Sequence, residues 1–467
     1  MISSSLAQSK IPIGAFVTST IQNRAITKAS FATSELMMMN CHNCSNQKHH
    51  SARKNTSWQS DTQPFYARAS FTKMCVPALL YSVLINSLLR VLSYVPFISR
   101  LCINPSKLHP EECFAVQNLS TQPIAIVTGS NTGVGFETAR GLVERGFHVI
   151  LACRSRQKGV DAADKINRQI VTSSRAELKV IGKASFLHPL DLASFSSVRS
   201  FCKSFSEKYD SLNILVNNAG INSQGDTTED GLEVCFQSNF VGHFLLTKLL
   251  LPALLKARNT YSSNECSDEA GRIVNLSSVT HHFAPANERT FSNDDDNGIH
   301  DKYFWKGSAV PGVSAGTYRE SKLASILFTM ELNKRYGGEE GIRSIAVNPG
   351  SVSSDIWRNE SDLTKKLYKM VYLTPKQGSS TSLAGSIGNL PQDAIYLQPY
   401  WQPTLRRKVP SKIKSFRRIY PLPFPMFEML GPYISHSVAT PRIPADGYGG
   451  YESSCQLWDV CESLTAD

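Results

Sequence analysis

From Gln122 to about residue 400, short apolar runs rich in Ile, Val and Ala alternate with longer stretches of helical composition. The short runs at 124–128, 148–153, 213–220, 272–278 and 342–350 predict β-strands. The stretches at 135–146, 195–209 and 318–335 predict helices. Strands alternating with helices imply an α/β fold, a parallel sheet with helices on both faces. Ligands of such sheets bind at the carboxyl ends of the strands.

The flanks have other rhythms. Residues 1–73 are rich in Ser, Thr, Asn and Gln, poor in acids, and hold no apolar period. They predict a disordered leader with the composition of an organelle transit peptide. Residues 74–103 are mostly apolar but interrupted by Asn86, Arg90 and Pro96. A spanning helix needs about 20 apolar residues, so this segment is a membrane-anchor candidate, spanning or interfacial. Met74 stands at its start, and translation from there makes it a signal-anchor. The organelle stays open between plastid, mitochondrion and endoplasmic reticulum. After the α/β region at 117–400 comes a basic, Pro-rich extension at 401–450, then a C-terminal helix and tail at 451–467.

The formal charge of +11 raises the question of nucleic acid. Its distribution answers it. Eleven Lys/Arg against four acids fall in 1–116, and eight against one in 402–445. The tail from Asp446 has five acids and no Lys or Arg, which leaves 30 basic and 28 acidic residues for 117–401. The excess sits in two flanks, as suits targeting or an anionic membrane surface rather than a nucleic-acid face. The 11 cysteines show no disulfide spacing and read as free thiols of a reducing compartment. Cys41 and Cys44 with His49 and His50 have partial zinc spacing but no element to position them, so no metal is assigned.

The chemistry begins where the first strand enters Gly129, Ser130, Asn131, Thr132, Gly133, Val134 and Gly135. A glycine loop between a strand and a helix lets backbone N–H groups approach a pyrophosphate. The second strand ends in Cys153 and Arg154, where an acid would bind ribose hydroxyls and select NAD. A guanidinium there pairs with a 2′-phosphate and favours NADP(H). Asp191 and Leu192 follow the third strand, with the carboxylate placed for an adenine amino group. Asn218, Ala219 and Gly220 end the fourth strand and let the backbone pass close to a cofactor.

Tyr318 and Lys322 stand four apart on one helix face. A phenol of ordinary pKa about 10 is no base near neutrality; a nearby ammonium and a positively charged nicotinamide lower it. Ser278, at the end of the fifth strand, is placed to hold a substrate oxygen. Asn239 lies in the preceding helix, where its side chain is expected to hold a water linking Lys322 to solvent. Pro349 and Gly350 close the set after the sixth strand. His243, His281 and His282 read as structural or substrate-side groups rather than metal ligands.

This ordered set resembles the short-chain dehydrogenase/reductase superfamily. Residues 151–154, 228–233, 239–244, 272–278 and 318–324 are similar to its retinol dehydrogenase and WW-domain oxidoreductase group. The resemblance implies a Rossmann-type three-layer α/β/α sandwich with about seven mostly parallel strands. It implies a catalytic tetrad of Asn239, Ser278, Tyr318 and Lys322, an NADP(H) cofactor, and a small apolar carbonyl or alcohol substrate of retinoid, lipid or steroid type met at a membrane. Residues 257–270, the loop between Ser278 and Tyr318, and 402–450 depart from the family pattern. Two rival readings are a plastid protochlorophyllide reductase, whose glycine loop usually reads Ser-Ser-Gly-Leu-Gly, and a non-catalytic cofactor-binding scaffold.

Overall fold

A computed structural model of the chain describes residues 122–173, 182–222, 226–257, 270–284, 316–338, 340–358, 360–388, 390–391, 393–399, 437–438, 441 and 451–466. The expected leader at 1–73, the apolar segment at 74–103 and nearly all of 401–450 lie outside them.

The strands are β1 (Ile124–Thr128), β2 (His148–Ala152), β3 (Lys183–Phe186), β4 (Ile214–Asn217), β5 (Arg272–Leu276), β6 (Arg343–Val347), β7 (Tyr396–Gln398) and β8 (Ser437–Val438). They form one sheet in the order β3-β2-β1-β4-β5-β6-β7-β8. The first seven are parallel, and the two-residue β8 runs antiparallel along the edge of β7. The chain builds outward from β1 to β3, then returns to place β4 on the other side of β1. That reversal opens a crevice above the carboxyl ends of β1 and β4, where ligands of such sheets bind.

The helices are α1 (Gly133–Val143), α2 (Arg156–Ser173), α3 (Phe195–Ser206), α4 (Val234–Lys256), α5 (Gly316–Tyr336), α6 (Asp362–Val371), α7 (Pro375–Ile387) and α8 (Tyr451–Leu464). Side chains alternate across each strand, so the sheet feeds two cores. Ala125, Val127, Val149, Leu151, Val216 and Val274 face α1, α2 and α7. Ile126, Ile150, Leu215 and Ile273 face α3, α4, α5 and α8. This is a Rossmann-type three-layer sandwich.

On the second face a polar line crosses the apolar core. Asn217 donates to Asn275 (2.8 Å) and to Thr247 of α4 (3.0 Å). Asn275 donates in turn to Thr329 of α5 (3.0 Å) and Ser344 of β6 (3.1 Å). Buried amides need such partners, and here the partners fix how deep α4 and α5 sit on the sheet. Among the described residues, α4 is long and apolar enough to cross a membrane. Its Phe244, Leu246, Leu250 and Leu254 are buried against the sheet and neighbouring helices, as a core helix requires.

The C-terminal helix α8 is held by Trp458, whose ring centroid lies 5.0 Å from Phe244 and 5.9 Å from Phe328. The Arg335 guanidinium stands 4.6 Å from the same ring. Trp458→Ala is expected to lower stability by about 3–5 kcal/mol, measured as a fall in the urea midpoint at unchanged m-value. A loss within about 0.5 kcal/mol, the range of ordinary surface substitutions, would show that α8 is not part of the cooperative core.

Candidate active site

The loop after β1 is shaped by how closely two backbones meet. Gly129 has φ +64°, and a Cβ there would lie 2.9 Å from the Ala219 Cα. At Gly135 a Cβ would lie 2.5 Å from the Gly129 carbonyl oxygen and 2.4 Å from Asn218 Nδ2. Only glycine fits either position. Asn218 Nδ2 donates to the Thr128 carbonyl at 2.7 Å and pins the two turns together. Ser130 is fully buried, and its hydroxyl has no partner within the protein. The first turn of α1 contains no acidic residue. Its free N–H groups and positive dipole end suit an anion, and a backbone cradle with an unmatched buried hydroxyl fits a dinucleotide pyrophosphate. Asn131 and Val134 are half-buried in this loop. Thr132 donates to Asp355 Oδ2 at 3.0 Å, which clasps the loop to the segment after β6. In that segment Pro349 and Gly350 follow β6, with the Gly350 N–H donating to Asn348 Oδ1 at 2.9 Å.

Arg154 emerges at the end of β2 with its side chain 80% exposed and Nη1 3.8 Å from Asp191 Oδ2. An exposed pair at that distance contributes little, so the guanidinium can exchange Asp191 for another anion. The other Asp191 oxygen accepts the Ala193 N–H at 3.0 Å. Leu192 is a core residue on the α3–α4 face. Cys153 is buried, and burial pushes its thiol up to about 11, so it offers no anion at the end of β2.

The second half of the crevice brings together Tyr318, Lys322, Ser278 and Asn239, the residues expected to handle the proton. Tyr318 and Lys322 share a face of α5, with Lys322 Nζ 5.4 Å from the phenol ring centroid. The ammonium donates to the Leu276 carbonyl at the end of β5 (2.9 Å). Burial pushes Lys322 down to about 8. Burial also pushes the Tyr318 phenol well above its ordinary value; the Cys235 thiol adds to this, and a hydrogen bond with Ser278 acts against it. The lysine was expected to lower the phenol. Among the groups of the chain itself, desolvation is the largest influence and has the opposite sign.

Two neighbouring serines separate by their partners. Ser277 is buried and donates to the Lys322 carbonyl at 2.7 Å, which anchors α5 to β5. Ser278 is the one that acts on the Tyr318 phenol, drawing its pKa down against the effect of burial. Asn239 lies in a π-helical turn of α4, Gln237–Val241, a local widening common at functional sites. Its Oδ1 accepts the Ile221 N–H at 2.8 Å. Its Nδ2 lies 3.0 Å from the Ile221 carbonyl and 3.1 Å from Ser321 Oγ. These bonds make the side chain a staple between the turn after β4 and α5. Gly220 lies at the meeting point: a Cβ there would be 3.3 Å from Asn239 Oδ1 and 3.5 Å from Lys322 Nζ.

Several residues of this site carry no motif. Thr128, Ser321 and Cys235 hold the named residues in place; only Thr128, the residue before the glycine loop, could have been found by its position. Cys235 packs against Tyr318 with Ile221 and Ile356, which gives the phenol an apolar wall. His243 lies in the core beneath the crevice, bonded to Thr128 Oγ1 at 2.8 Å, and is not on the substrate side. His281 Nδ1 is 2.6 Å from the Ser278 carbonyl, and its ring centroid lies 3.9 Å from that of His282, the two rings tilted by 36°. Among the described residues no group of three or more His, Cys, Asp or Glu is arranged to hold a metal.

The chain is similar in sequence to known proteins. A sequence model of the family described as short chain dehydrogenase matches residues 123–292. Retinol dehydrogenase 11 of Mus musculus is 38% identical over 264 residues, which is 56% of this chain and 72% of the relative. The polyprenol dehydrogenase of Homo sapiens is 33% identical over 270 residues, 56% of this chain and 72% of the relative. Among solved structures, the Pseudomonas aeruginosa RhlG/NADP active-site complex matches 61% of this chain and 96% of its own, at 23% identity and a TM-score of 0.44. The chain belongs to the short-chain dehydrogenase/reductase family of oxidoreductases, which use NAD(P), and within it resembles the retinol dehydrogenases.

Proposed function

We propose that this protein is an NADP(H)-dependent oxidoreductase that interconverts an apolar alcohol, of retinoid, lipid or steroid type, with its aldehyde or ketone. The reading rests on one observation above the others: Tyr318 and Lys322 lie one helical turn apart on α5, with Lys322 Nζ 5.4 Å from the phenol ring centroid and bonded to the Leu276 carbonyl at the end of β5. A bound nicotinamide supplies or takes up the hydride. The chain does the rest. The Ser278 hydroxyl orients the substrate oxygen beside Tyr318 Oη. Tyr318 gives its proton to that oxygen when a carbonyl is reduced and receives it when an alcohol is oxidised. Lys322 holds the nicotinamide ribose and, when charged, favours the phenolate. Asn239 holds the turn after β4 against α5, so that these groups keep their spacing.

NADP(H) is favoured by Arg154, an exposed cation at the end of β2 with no strong partner to give up. An apolar substrate is supported by the wall of Cys235, Ile221 and Ile356 beside Tyr318, and by the alcohols in the relatives' names, retinol and polyprenol. Association with a membrane, through the segment at 74–103, would deliver such a substrate.

Tyr318→Phe is expected to lower kcat for aldehyde reduction by on the order of 10²–10⁴ with little change in NADPH affinity; unchanged turnover would sink the catalytic reading. Arg154→Asp should weaken NADPH binding about 10- to 100-fold, the worth of a charge-assisted contact, and leave NADH nearly untouched. Equal effects on both dinucleotides would remove the 2′-phosphate assignment. Lys322 yields a pH test. Its pKa falls from 10.5 to about 8 on folding, so the unfolded chain binds more protons between those values. The charged lysine therefore opposes folding at neutral pH, and the penalty fades as pH rises through 8 to 10.5. Lys322→Met should be more urea-resistant than wild type at pH 7, with the gap closing by pH 10.5; a gap that does not change across that window contradicts the assignment.

A further inference from the structure

His243 connects the two halves of the crevice. The Thr128 hydroxyl accepts the backbone N–H groups of Asn218 and Ala219, each at 2.9 Å. Its own proton points at His243 Nε2, 2.8 Å away, in preference to the Val216 carbonyl at 3.4 Å. On the other side of the ring, His243 Nδ1 lies 3.0 Å from the main-chain carbonyl of Asn239. A carbonyl only accepts, so Nδ1 bears the hydrogen and Nε2 is the acceptor. Thr128, His243 and Asn239 are all at least 97% buried. Burial holds the imidazole down to about 4, which keeps it neutral and in this one tautomer across the working pH range. The chain of bonds has a single direction, from the turn after β4 through Thr128 and His243 to the π turn of α4.

We propose that His243 is a positioning residue that locks the Asn218–Ala219 turn on the cofactor side to the α4 turn carrying Asn239 on the proton-handling side. The π turn creates the opening. The Gly242 N–H reaches five residues back to Gln237, and the imidazole comes in from the side to bond the Asn239 carbonyl. A buried apolar residue at 243 would take the imidazole donor from the Asn239 carbonyl and leave the Thr128 hydroxyl only the longer contact to the Val216 carbonyl. Only a side chain with a donor and an acceptor on opposite edges serves both at once.

The proposal rests on the reading of Asn239 as part of the active cluster, and its two bonds can be cut separately. An Asn amide stands where the imidazole Nδ1 stood, and a Gln amide reaches the place of Nε2. His243→Asn is expected to keep kcat within about threefold and to raise the NADPH Kd, read by protein fluorescence quenching, about tenfold, the worth of one hydrogen bond. His243→Gln is expected to do the reverse: Kd within about threefold, kcat for an aldehyde down about tenfold. His243→Phe should show both losses. If all three variants lose kcat and affinity together in step with a falling Tm, or if none changes, His243 is a core residue and the coupling is wrong. The Kd of His243→Asn is independent of the proposed chemistry, so failure of that chemistry, seen as a fully active Tyr318→Phe, is told apart from failure here.

Discussion

The crevice is registered to Thr128, the last residue of β1. Its carbonyl accepts from the Asn218 side chain, and its hydroxyl accepts from two N–H groups of the turn after β4. These bonds draw two parallel strand ends so close that a side chain cannot fit at Gly129 or Gly135. The glycine loop is thus a consequence of the strand contact as much as an adaptation to a ligand. Once the loop lies there, α1 starts with its N-terminus over the crevice, and the position of an anion is set by backbone alone. The same contact places Gly220 beside Lys322 and Asn239, so cofactor side and proton side share one reference point.

The groups proposed to handle the proton are buried, and for Lys322 that burial costs stability at neutral pH. Lys322 and Tyr318 are both buried, and each is pushed toward its neutral form. A lysine buried in this way weakens a fold, and such groups cluster at functional sites. The surroundings offset the cost with bonds that have no chemical role. Ser277 anchors the Lys322 carbonyl, and the Asn217–Asn275–Ser344 line fixes the depth of α4 and α5. The apolar cores on the two faces of the sheet then hold the frame rigid around a strained interior.

Much of this was readable from sequence because it depends on local spacing. The runs at 124–128, 148–153 and 272–278 are β1, β2 and β5 with small changes of boundary, and the Tyr318–Lys322 spacing gives one face of α5. What sequence could not supply is the partner across an element. Periodicity puts Asn239 on α4 but says nothing of Ile221 and Ser321, which hold its side chain. It puts His243 one turn later without revealing Thr128, 115 residues away. Desolvation of Tyr318 lies beyond sequence for a related reason. A motif shows the nearby lysine, whereas desolvation comes from many atoms of Cys235, Ile221, Ile356 and the helices around them.

That desolvation bears on which way the chemistry is poised. The apolar wall that suits an apolar substrate is the same wall that keeps the phenol protonated, so substrate class and proton state are not independent choices. On the proposed reading the resting Tyr318 is the loaded acid, the form required when a carbonyl is reduced. Oxidation of an alcohol needs the phenolate first; within the chain Ser278 acts toward that form, and Lys322, the nearby cation, has its own charge weakened by burial. A cationic nicotinamide beside the pair would favour the phenolate where the neutral reduced ring would not. On the proposed reading, the charge of a bound cofactor would be the means by which the same four side chains change between giving and taking the proton.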